Sequence, residues 1–421
     1  MKRKNGYQQI YAIAVFSFVL VAGPPRELPA SQPVLSAGFY PILPPVAGTT
    51  TIGGGTPDGA LVAGMVTTGN ERQMFLWDPI SGSHIVPLPA NHRLWQVADL
   101  SADGSTVVGQ ISDGPFGTRQ AFLWTQAGGF EKLGTLSTDS FDRSSVSSVN
   151  SNGSVIVGTG DVPGGIGGSH AFRWTRATGM LDLGTLGTSN PIYAPWSAAS
   201  RSSEDGSIIV GATTVSGQNQ GQMARWTSSS GWENLGSLPD PPRNAGAAAM
   251  TPDGSIIVGS NQGSGFDAII WSQAEGMRAL PRLDGYVSFG ATQISANGNF
   301  IIGQVGDATT GQAIAYLKRD GGYTPELLTG LLTRQGLDLM GWKIWAVTSM
   351  SPDGRVLGGM AFDTNGARQG FVAVLPVPEG PTLELLLVGA CGVMVFVSRI
   401  KLFGLRSAVR RGPLISFREN G

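Results

Sequence analysis

A four-residue turn ending in Asp-Gly or Asn-Gly returns seven times along this chain and constrains its fold more than any other feature. It reads Thr56-Pro57-Asp58-Gly59, Ser101-Ala102-Asp103-Gly104, Asn150-Ser151-Asn152-Gly153 and Ser203-Glu204-Asp205-Gly206. It continues as Thr251-Pro252-Asp253-Gly254, Ser295-Ala296-Asn297-Gly298 and Ser351-Pro352-Asp353-Gly354. Successive glycines fall 45, 49, 53, 48, 44 and 56 residues apart. Self-similarity at this spacing marks a repeat architecture whose units bury their faces against one another. Asp-Gly and Asn-Gly suit two-residue hairpins in which both central residues take positive φ.

Each copy has the same internal order. A small-residue segment such as Ala245–Ala249 enters the turn, and an apolar run such as Ile256-Ile257-Val258 leaves it. Continuous apolarity over this length suits a strand covered on both faces. A third strand follows with two large apolar residues two apart: Phe75 and Trp77, Phe122 and Trp124, Phe172 and Trp174, Ile269 and Trp271. Period two puts each pair on one face. A fourth strand ends in Leu, as in Met180–Leu183 and Trp232–Leu235. Four antiparallel strands per repeat predict an all-β, seven-bladed β-propeller over residues 37–376.

The seventh copy has its third strand at Gly370–Leu375 and no fourth strand after it. Phe39-Tyr40-Pro41-Ile42-Leu43-Pro44 precedes the first turn and resembles the other fourth strands. Pairing it with the last blade closes the ring and removes an open sheet edge; an open β-solenoid with capping ends is the alternative. One short helix is expected at 324–336, with Thr324 as cap, Pro325 at its first position and Gly336 as stop.

Ala121-Phe122-Leu123-Trp124 with Leu133-Gly134-Thr135-Leu136, and His170-Ala171-Phe172-Arg173-Trp174 with Leu183-Gly184-Thr185-Leu186, resemble the HAF-type extracellular repeats of bacteria. The resemblance implies export and a propeller-like fold, and supplies no catalytic residues. The termini agree with export. Lys2, Arg3 and Lys4 precede an apolar run from Ile10 to Val21, the pattern of a signal peptide within residues 1–30; an uncleaved anchor is the alternative. Residues 383–398 form an apolar run interrupted by Glu384 and followed by Arg399, Lys401, Arg406, Arg410 and Arg411. With Val377-Pro378-Glu379 before it, the segment 377–411 resembles a degenerate PEP-CTERM sorting tail, leaving 412–421 as a terminal extension. That resemblance implies an exosortase-like sorting partner and a membrane helix near the C-terminus, hence a cell-surface or extracellular location.

Composition narrows the chemistry. A net charge of −1 argues against nucleic acid, and the single cysteine, Cys391, excludes an internal disulfide framework. His84, His92 and His170 lie in separate repeats without metal-ligand spacing. Each turn offers one carboxylate or amide, too few oxygens to converge on calcium. No metal, cofactor or catalytic residue is therefore expected. What remains is the set of connections between a fourth strand and the next innermost strand, all on one face of a propeller. They gather the non-repeat aromatics and much of the charge, and the candidate ligand residues there are Arg93, Trp95, Tyr193, Trp196, Arg243, Tyr286 and Trp345. Sugar rings stack on such aromatics. The leading expectation is a non-catalytic surface protein binding a polysaccharide or another surface protein. The alternative is a carbohydrate-active hydrolase or lyase using Asp139, Asp142, Asp240 and Asp284.

Overall fold

The structure, a computed structural model, describes residues 35–377 apart from 115–116, 138–142, 164–167, 188–193, 217–219, 240–243, 263–265 and 307–310. The fold is all-β. Its strands form five four-stranded antiparallel sheets and one of eight, in which the fifth and sixth repeats are joined by one pairing, Phe266 with Ser288. Each repeat is an up-and-down meander. The first runs Thr49–Gly55, Val62–Thr68, Glu71–Asp78 and Gly82–Val86, each strand paired with the next.

The seventh repeat takes its fourth strand from the chain's beginning. Gly38–Ile42 pairs antiparallel with Arg368–Val374, Gly38 opposite Val374 and Ile42 opposite Gly370. Phe39 then stacks on Phe371 at 5.4 Å and meets Trp342 edge-on at 5.7 Å.

The core is divided among the faces between successive repeats. Met74 and Val86 of the first pack on Leu94, Val97 and Ile111 of the second. A corresponding cluster holds Ile42, Met360 and Val372 of the seventh against Ile52, Phe75 and Trp77 of the first. Second strands are covered on both sides, as their continuous apolarity predicts. The third-strand phenylalanines Phe75, Phe122, Phe172 and Phe371 are fully buried.

One glycine per repeat follows from a bulge. The innermost strands shift register near their middles, between Ile52 and Gly54, Val146 and Ser148, and Val347 and Ser349. The bulged strand presses a carbonyl against the neighbouring second strand. A Cβ on Gly158 would lie 2.0 Å from the Ser145 carbonyl oxygen and 2.9 Å from the Phe172 ring. Only glycine admits both.

The seven turns differ from the expected two-residue hairpin. Their glycines take φ between +66° and +76°, but no Asp or Asn before them has positive φ. Each glycine amide instead donates to the carbonyl three residues back, at 2.8–3.2 Å. Side chains complete the turn. The Ser203 hydroxyl donates to Asp205 Oδ1 at 2.6 Å, Asp205 Oδ1 accepts the Ser207 amide at 2.9 Å, and Ser203 Oγ accepts the Ile208 amide at 3.0 Å. The turns at Thr56, Ser101, Thr251, Ser295 and Ser351 repeat all three bonds. Asn150 accepts the Val155 amide through its own side chain. The Ser/Thr-x-Asp-Gly motif is thus an internally bonded corner.

The expected helix starts later than its sequence signals. Gly322–Leu327 is a strand containing Thr324 and Pro325, and the helix spans Leu328–Arg334 with no side-chain cap bond. Strand pairing with Gly311–Arg319 overrides the cap. Leu328, Leu331 and Leu332 are buried, and Gly336 ends the helix at φ +86°. Among the described residues no helix is long and apolar enough to cross a membrane. The expected signal peptide at 1–30, the apolar segment at 383–398 and the extension at 412–421 lie outside the described residues.

Candidate functional site

Innermost strands begin, second strands end and third strands start on one edge of the repeats. At this edge the first two repeats form a cleft of about 310 Å³ lined by Thr67, Gly69, Asn70, Arg72, Arg93, Leu94 and Trp95. Strand alternation and a bulge build it. Leu94 is 1% exposed in the core between the repeats, which turns Arg93 to the other face of the innermost strand His92–Leu100. The register shifts between Leu94 and Gln96, so Trp95 is a bulged residue, and its ring reaches Ser112, the partner of Arg93.

Hydrogen bonds lock these side chains across the boundary. Arg72 Nη1 donates to the Trp95 carbonyl at 3.0 Å, and Arg93 Nη2 donates to the Asn70 carbonyl at 2.6 Å. Trp95 Nε1 donates to Ser112 Oγ at 2.9 Å, which donates to the Gly114 carbonyl at 2.8 Å. The guanidinium carbon of Arg119 lies 3.4 Å from the Trp95 ring centroid and that of Arg72 lies 5.3 Å away. Such contacts draw a guanidinium to the face of an indole. Arg119 therefore occupies ring surface that a sugar was expected to use.

Charge is the outcome. Among the described residues no carboxylate pairs with Arg72, Arg93 or Arg119. Asp113 nearby is engaged by Lys132 at 2.5 Å and by His92 at 3.0 Å. The Lys132 ammonium holds its carboxyl below the usual range, against slight burial and with help from His92. His92 places its other ring nitrogen 2.9 Å from the Ala90 carbonyl. Two guanidiniums on one indole, Arg72 and Arg119, with Arg93 lining the same cleft, favour an anion, carboxylate above all, because the planar fork matches it.

The other candidate residues do not join this cleft. Trp196 lies over Gly221 of the fourth repeat, where a Cβ would come 2.5 Å from the ring. Tyr286 packs on the core between the fifth and sixth repeats. Trp345 belongs to the seventh, beside Phe362 and Arg368. Tyr193 and Arg243 lie outside the described residues, as do Asp139, Asp142 and Asp240. Asp284 is exposed in a turn.

Arg72 and Arg119 escaped the sequence reading although a signal marks them. Arg-Gln-x-Phe occurs at Arg72–Phe75, Arg119–Phe122 and Arg368–Phe371. In each, the buried phenylalanine fixes the third strand and the arginine stands three residues earlier, near the strand's start.

Successive four-stranded meanders packed face to face define a β-propeller-like fold, and comparison with solved structures agrees. The chain resembles an oligogalacturonate lyase in complex with manganese at 12% identity, covering 81% of this chain and 98% of that one, with a TM-score of 0.52. An oligogalacturonate lyase from Vibrio parahaemolyticus gives 11% identity, coverage of 83% and 99%, and a TM-score of 0.50. TolB from Acinetobacter baumannii is 18% identical over 54% of this chain, with a TM-score of 0.38, and the match spans 52% of that structure. No family model and no curated protein matches the sequence. The lyase likeness overturns the expectation that the chain is not an enzyme, because this architecture is one that lyases use. At such identity it shows the fold alone. Among the described residues no three of His, Cys, Asp and Glu converge to hold a metal ion.

Proposed function

We propose that the chain is an exported, seven-bladed propeller that takes an acidic saccharide at the cleft between its first two blades. Pairing of Gly38–Ile42 with the seventh repeat supports a ring closed by the N-terminal strand, as does the cluster joining the seventh repeat to the first. The HAF-like repeats, the signal-like N-terminus and the PEP-CTERM-like tail support export, exosortase-like sorting and placement at the cell surface.

The observation that carries the ligand class is that Arg72 and Arg119 on the Trp95 ring, and Arg93 in the cleft beside it, have no carboxylate partner among the described residues. A uronate supplies a carboxylate for the guanidiniums and ring hydroxyls for Thr67 and Asn70, which line the same cleft. The lyase architecture extends this reading to chemistry. In an elimination a base takes the C5 proton, the glycosidic oxygen leaves C4 as the C4–C5 double bond forms, and guanidiniums on the uronate carboxylate stabilise the negative charge that develops between.

Titration with digalacturonate and with its methyl ester tests the reading. The acid binds and the ester does not; equal binding overturns the charge-based account. Incubation with polygalacturonate, followed by the ultraviolet absorbance of an unsaturated uronate, tests the lyase extension.

A further inference from the structure

We infer that Arg368 and Trp345 form a second anion station, and that with the first cleft it takes an extended acidic polysaccharide. The inference rests on the proposed acidic-saccharide reading.

The two stations occupy equivalent places in the repeat. Trp95 stands six residues before the turn serine Ser101, and Trp345 six before Ser351. Arg119 and Arg368 each open an Arg-Gln-x-Phe segment. The Arg368 guanidinium carbon lies 5.1 Å from the Trp345 ring centroid, and the equivalent Arg119 lies 3.4 Å from that of Trp95. Among the described residues Arg368 has no carboxylate partner, and its Nε is buried with no hydrogen-bond partner. A guanidinium left this way is held in place by packing and has its charge to offer.

Position makes the stations a pair. The seventh repeat packs on the first, and Thr50 donates to Gln369 Oε1 at 3.4 Å beside Arg368. Arg72 lies on the first repeat and Arg119 on the second, so the arginines follow one arc across three neighbouring repeats. The remaining four repeats carry Ser169, Gly221, Phe266 and Gly311 at that position. A chain of uronates presents carboxylates at regular intervals, which suits an arc of separated guanidiniums better than a lone small acid does.

The test titrates the full chain and its Arg368→Gln and Arg368→Lys variants with digalacturonate and with polygalacturonate, with circular dichroism confirming the fold. Arg368→Gln is expected to weaken polygalacturonate binding about tenfold or more, through loss of a linked contact, and to weaken digalacturonate binding much less. Arg368→Lys is expected to recover part of that loss. Equal weakening for both ligands, or none for the polymer, overturns the second station. If digalacturonate does not bind the parent chain, the first-cleft reading fails, and the polymer result still decides the second station. Binding of single-stranded nucleic acid that depends on Arg368, with none of polygalacturonate, overturns the saccharide assignment.

Discussion

Asp99 of the second repeat and Arg201 of the fourth meet at 2.8 Å across the intervening third repeat. The third repeat joins them: Arg201 Nη1 also donates to Ser148 Oγ at 3.3 Å, and the Val149 amide donates to Asp99 Oδ2 at 3.2 Å. The inner strands of three successive repeats are therefore tied at one buried carboxylate. Burial pushes the Asp99 carboxyl up, and the Arg201 guanidinium and the Val149 and Leu100 amides pull it down without cancelling that rise.

Removing Arg201 leaves this carboxylate buried without its cation. Arg201→Met is expected to cost about 3–5 kcal/mol near neutral pH. A carboxyl raised in the folded state binds its proton more tightly there than in the unfolded chain, so acidification favours folding. The deficit of Arg201→Met should shrink from pH 7 to pH 5 in chemical denaturation; a deficit that grows contradicts the assignment.

The turn carboxylates have the opposite sign. The Ser203 hydroxyl and the Ser207 amide hold Asp205 down to about 2, and Thr251 and Ser255 lower Asp253 in the same way. Burial opposes the shift at Asp103 and Asp353, where hydroxyl and amide donors outweigh it. Their stabilisation is complete above the unfolded aspartate value of about 4 and is lost as pH falls toward about 2. Asp205→Asn should flatten the acid limb of the stability profile and change little at pH 7, since Asn152 and Asn297 serve the same turn elsewhere. A large loss at pH 7 contradicts this account.

Much of this fold can be read from the chain because the repeat is written in local chemistry. The Ser/Thr-x-Asp-Gly corner, the apolar second strand and the paired aromatics of the third each specify one element, and Phe39 to Ile42 reads as a fourth strand without a first. The bulges do not show, because a register shift in a strand such as Val146–Ser148 leaves no composition mark. Thr324-Pro325 misleads because cap chemistry is local and the ladder that overrides it is not. At the site, Arg93 and Trp95 stand out because they lie where a fourth strand leads into the next innermost strand. Arg72 reaches the same cleft from another repeat, and Trp196, Tyr286 and Trp345 part from it because each sits on its own repeat.

The fourth strand of the seventh repeat should carry real stability. Phe39 is 6% exposed against Phe371 and Trp342, so Phe39→Ala is expected to cost about 3–5 kcal/mol. Deleting residues 38–42 opens the edge of Arg368–Val374 and should promote association between chains. Thermal melting and size-exclusion chromatography check both outcomes.

The bulge-facing glycines tolerate no side chain. Gly158→Ala sets a methyl against the Ser145 carbonyl and the Phe172 ring, and is expected to destabilise by about 1–3 kcal/mol or more. Gly179→Ala has open space around it but a φ of +66°, so its smaller cost is backbone strain alone. Melting temperatures of the two variants should fall in that order.

The claim that the first cleft recognises a carboxylate is tested most directly by titrating digalacturonate into the parent chain and into Arg93→Gln, with salt varied in each series. The account predicts binding to the parent that weakens as salt rises, and a loss of about tenfold or more in the folded variant. Salt-independent binding that is equal in the two proteins would contradict it.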